Sequence, residues 1–109
     1  MRQEPCKAYG NLSPAGEDVV RAVDRVFMDW GMSQRAELEG DILRVAFEGV
    51  FFPLDDILVS LKPFLRPDSS GKMDLIDMEE WTLTRAVFAG TEIRLSSAGL
   101  NDVLAYSGH

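Results

Sequence analysis

KMDLIDMEEWTLTRAVFAGTEIRLS, Lys72 to Ser96, decides the fold. Met73 and Leu75, then Trp81, Leu83 and Val87, then Ile93 and Leu95 recur at alternate positions, the period of strands with one buried face. Thr82, Thr84 and Val87 favour strands. Ala89-Gly90-Thr91 supplies the turn before a last strand at 92–96. A rival reading places a helix at 78–89, with Asp77 as its cap, Glu80 completing a capping box and Gly90 at its end. That helix would be apolar nearly all round, without the polar face of a surface helix. Strands are therefore the preferred reading.

Working outward, Arg66 to Gly71 (RPDSSG) is a loop by composition. Before it, Pro53, Asp55 and Asp56 open a helix whose buried stripe is Leu54, Ile57, Leu58 and Leu61. Pro63 stops it near Lys62. Further upstream, Ala36 and Leu38 alternate with Glu37 and Glu39. Leu43, Val45 and Phe47 alternate with Ile42, Arg44 and Ala46. With a turn at Glu39-Gly40-Asp41, this predicts a β-hairpin of 34–39 with 42–48, ended by Gly49. Ser13-Pro14 reads as a helix start, and Val19, Ala22, Val23, Val26, Phe27 and Trp30 follow at helical spacing until Gly31. After the last strand, Ser96 or Ser97 caps a short helix at 98–106, with Leu100, Val103 and Leu104 on one stripe.

The fold class is α+β. One compact domain over 13–109, in the order α-β-β-α-β-β-β-α, packs its helices on one face of a mostly antiparallel sheet. Residues 1–12, polar and carrying Pro5 and Gly10, are expected to form a flexible N-terminal arm. With 109 residues and 46% hydrophobic content the chain can bury a core large enough to offset its chain entropy.

Eighteen acidic against eleven basic residues give a net charge of −7. A polyanion such as nucleic acid, or an anionic membrane, would be repelled. No apolar run is long enough to span a membrane, and Met1 to Leu12 lacks the apolar core of a signal peptide. A single cysteine makes no internal disulfide. Cytoplasmic residence is the expectation.

Cys6 is the only cysteine, and the only histidine is His109. A Cys-His or Ser-His site needs the two ends of the chain to meet, and a structural zinc site lacks ligands. The glycines are dispersed at turns, so no loop cradles phosphate and no cofactor is expected. Carboxylates remain. Asp55-Asp56 and Glu79-Glu80 are adjacent pairs, but the first is explained by a helix dipole. Counted from Arg66, the loop resembles an EF-hand, with Asp68, Ser70, Asp74 and Asp77 at ligand positions and Gly71 at the turn. Arg66 stands where the first carboxylate belongs, and Asp77 replaces the bidentate glutamate. A divalent-cation site or hydrolase over Asp68–Asp77 is the alternative reading.

The leading expectation is a non-enzymatic interaction domain. Val50, Phe51 and Phe52 form an apolar run before Pro53. Successive residues of extended chain face opposite ways, so one phenylalanine can join the core while the other faces a partner. That partner is a protein, a second copy forming a homodimer included. A cleft for a small molecule, lined by Trp30, Trp81 and phenylalanines, is a third option.

Overall fold

The computed structural model describes residues 5–100. They form β1 (Cys6–Ser13), α1 (Glu17–Asp29), β2 (Glu37–Glu39), β3 (Ile42–Gly49), α2 (Leu54–Leu61), a 3-10 turn (Lys62–Phe64), β4 (Ser70–Asp77), β5 (Thr82–Ala89) and β6 (Glu92–Gly99). The strands make one sheet in the order β2-β3-β1-β4-β5-β6. Every neighbouring pair is antiparallel. The α+β class therefore holds, with two α-helices among the described residues.

The expected N-terminal arm is instead a central strand. β1 pairs with β3 on one side and β4 on the other. Its inward residues are Cys6, Ala8, Gly10 and Leu12, mostly too small to read as apolar. Their size is what the site requires. A Cβ on Gly10 would lie 2.8 Å from Cγ of Met73 on β4, so the missing side chain makes room for Met73.

The start of α1 also moves. Ser13 is held opposite Ser70 in the β1–β4 ladder, so it does not cap the helix. The helix begins at Glu17, with Gly16 at the N-cap and no side-chain cap. At the other end Gly31, at φ 69°, stops it as expected. The Met32 N–H donates to the Phe27 carbonyl and the Gly31 N–H to the Met28 carbonyl, both at 2.9 Å, the paired bonds of a Schellman ending.

The hairpin forms with Leu38 opposite Leu43, though β2 spans only 37–39. α2 buries Leu54, Ile57, Leu58 and Leu61 as its stripe requires. Lys72 to Ser96 forms strands joined by two turns, and no helix forms at 78–89. Met78 to Trp81 is a turn between the paired residues Asp77 and Thr82. The Asp77 carboxylate holds it by accepting the N–H groups of Glu79 and Glu80. The last strand runs on to Gly99, so Ala98 and Gly99 are strand; of the rest of the expected helix, Leu100 is described and helical, and 101–106 lie outside the described residues.

Both helices lie on one face. Val23 and Phe27 of α1 and Ile57 and Leu61 of α2 share a core with Ala8, Leu12, Leu43, Met73, Ala86 and Phe88. The alternate residues of the same strands, Tyr9, Arg44, Lys72, Asp74 and Arg85 among them, face the uncovered side.

Candidate interaction surface

β3 ends at Gly49 and the chain crosses to α2 through Val50, Phe51, Phe52 and Pro53. The crossing splits the two phenylalanines. Phe52 is buried and packs against Phe27 and Phe47, with ring centroids 6.0 and 5.3 Å apart. It is therefore core, and leaves the expected interface trio. Phe51 is 50% exposed and Val50 78%.

Trp30 takes the place of Phe52. It sits at the C-cap of α1, half-exposed, with its ring tilted at 45° against Phe51 at a centroid distance of 4.9 Å. Its indole Nε1 donates to Oδ2 of Asp56, in the first turn of α2, at 2.7 Å. The two rings form a wall between two depressions. One, of about 660 Å³, is lined by Met32, Gln34, Phe47, Glu48 and Val50 together with the two rings. The other, of about 370 Å³, lies towards Pro53, Leu54, Leu75 and Thr84. Helical spacing puts Trp30 on the buried stripe of α1, and only its position at the helix end signals its exposure.

Beneath Val50, Cys6 is buried, and its Sγ donates to the Val50 carbonyl at 3.5 Å. Burial pushes the thiol pKa up, and the Asp77 and Glu79 charges add to this. A thiol held protonated is a weak nucleophile. His109 lies outside the described residues.

The acidic loop does not assemble. Asp68 pairs with Arg66 at 3.4 Å in the turn before β4. Asp74 accepts Nε and Nη2 of Arg85, at 2.8 and 2.9 Å, and this pairing raises the pKa of the guanidinium further. Asp77 is three residues along the same strand, so it stands on the opposite face from Asp74 and Ser70. Among the described residues no group of three or more His, Cys, Asp or Glu side chains is placed to hold a metal ion. Trp81 occupies the β4–β5 turn in left-handed backbone, φ 57°. No helix among the described residues is long and apolar enough to cross a membrane.

Comparison with protein-family models, with curated proteins and with solved structures finds no match to this chain.

Proposed function

We propose that the chain is a non-enzymatic, cytoplasmic interaction domain that receives an apolar side chain of a protein partner against the wall formed by Trp30 and Phe51. The observation that carries this is three large apolar side chains, Trp30, Val50 and Phe51, exposed side by side at the mouth of a cleft of about 660 Å³. Aromatic groups at the centre of a surface patch are the usual anchors of protein interfaces. Glu48 lines the same cleft, and Asp55 and Asp56 line the neighbouring depression. With a net charge of −7, these acids favour a partner segment whose aromatic or aliphatic anchor is flanked by Lys or Arg. Cytoplasmic residence fits a lone, buried thiol.

A displayed peptide library panned on the full chain tests this. Enriched sequences should carry an apolar anchor beside basic residues, perturb Trp30 fluorescence, and lose binding to a Val50→Asp, Phe51→Ser variant. Enriched peptides indifferent to both substitutions, or none at all, would refute the reading.

A further inference from the structure

The sheet ends differently at its two edges. β2 has three residues, and Glu37 and Glu39 flank its one apolar side chain. Where β3 runs on past it, the Gln34 side-chain amide donates to the Ala46 carbonyl at 2.9 Å. The N–H of Ala36 is taken by Asp24 of α1 at 2.7 Å. Short length, charge and covered backbone groups keep a sheet edge from pairing with another chain. Among the described residues, β6 has none of these devices over most of its length. It runs eight residues with no proline and an unbroken register to β5, and Leu95 to Gly99 carry no charge. Leu95 is 59% exposed on the helix-bearing side.

We propose that β6 is the interface of a homodimer, two copies pairing antiparallel along this strand. This is independent of the Trp30–Phe51 surface. The Gly90-Thr91 turn closes on Ala89 opposite Glu92. In a two-residue hairpin that closing pair exchanges hydrogen bonds, so the even residues of β6 bond inward to β5. The backbone groups of Ile93, Leu95 and Ser97 then point outward. A two-fold axis normal to the sheet at Leu95 sets each Leu95 against its counterpart and Ile93 against the Ser97 of the second copy. Arg94 then faces Ser96 and Glu92 faces Ala98, so no like charges are directly opposed. Centring the axis on Arg94 would oppose two guanidinium groups, which is unfavourable. The strand is thus complementary to itself, and a contact of this symmetry closes at two copies. A β6–β2 contact would propagate, but β2 offers only three residues.

A strand-to-strand contact of this length falls below about 1,200 Å², the class of reversible association. Sedimentation of the full chain over a wide concentration range should show the mass rising from 12.1 kDa towards twice that value. Leu95→Lys should weaken the dimer by at least about tenfold, by opposing two charges and removing the apolar contact, while leaving the circular dichroism intact. Leu95→Cys should cross-link into a covalent dimer under mild oxidation, whereas Val59→Cys, on the exposed face of α2, should not. A wild-type chain that stays monomeric at the highest concentration overturns the proposal. So does a dimer that survives Leu95→Lys but is lost with Val50→Asp, Phe51→Ser, and so does a monomer whose β6 instead captures an extended peptide.

Discussion

The indole of Trp30 and the carboxylate of Asp56 tie the end of the first helix to the start of the second, Nε1 to Oδ2 at 2.7 Å. The bond fixes how the Trp30 ring presents itself to Phe51. Asp56→Ala should release the ring, red-shifting Trp30 emission in a Trp81→Phe background. The bond is solvent-exposed, so the accompanying stability loss should stay near or below about 1 kcal/mol.

Phe27 and Leu58 report on the core from the two helices. Phe27 is fully buried and rests against Phe52; Leu58 is 6% exposed. Phe27→Ala should cost about 3–5 kcal/mol and Leu58→Ala about 2–4 kcal/mol, read as shifts in the urea midpoint with the m-value unchanged. Comparable small losses at both sites would contradict the observed packing.

Gly71 stands at φ 141°, and a Cβ there would collide with the carbonyl oxygen of Asn11 on β1. Gly40 shares the positive φ but has open space around it. Gly40→Ala should therefore report backbone strain alone, about 1 kcal/mol. Gly71→Ala adds a collision between backbones and should lower the melting temperature by distinctly more.

Cys6 should make the chain sensitive to alkali. Its pKa is raised in the folded state, chiefly by burial. The thiol of the unfolded chain ionises first, above about pH 8.5. The stabilising contribution is complete below that pH and is lost as pH rises towards the higher folded value. Cys6→Ala should flatten the alkaline limb of the stability profile. Iodoacetamide should modify the native thiol far more slowly than the same thiol in urea.

Much of the fold follows from residue spacing. The stripe Leu54, Ile57, Leu58 and Leu61 and the alternation Leu43, Val45 and Phe47 mark their buried faces because large side chains fill them. β1 escapes that reasoning because packing at Ala8 and Gly10 demands small residues, which carry little apolar signal, although Cys6, Ala8 and Leu12 do alternate with Lys7, Tyr9 and Asn11. Ser13 resembles a helix cap, but a hydroxyl residue also fits a strand end, and only the long-range pairing with Ser70 decides between them. At the candidate surface, alternation separates Phe51 from Phe52 without saying which is exposed. Phe47 and Phe27 determine that, by enclosing Phe52 from two elements distant in sequence.

The first strand made in the sheet waits longest for its second neighbour. Cys6 pairs with Gly49 on one side and Asp77 on the other. As the chain leaves the ribosome, β1 has no sheet neighbour until β3 emerges, and one side stays open until β4 is complete. Pairing across such long separations is slow, and the half-made chain exposes a strand edge to aggregation meanwhile. A holdase that covers β1 until residue 77 emerges should raise the folded yield more than strengthening either helix would, and a pause in translation before residue 77 should lower it. A deletion intended to trim the N-terminus would remove the seam that joins the two halves of the sheet.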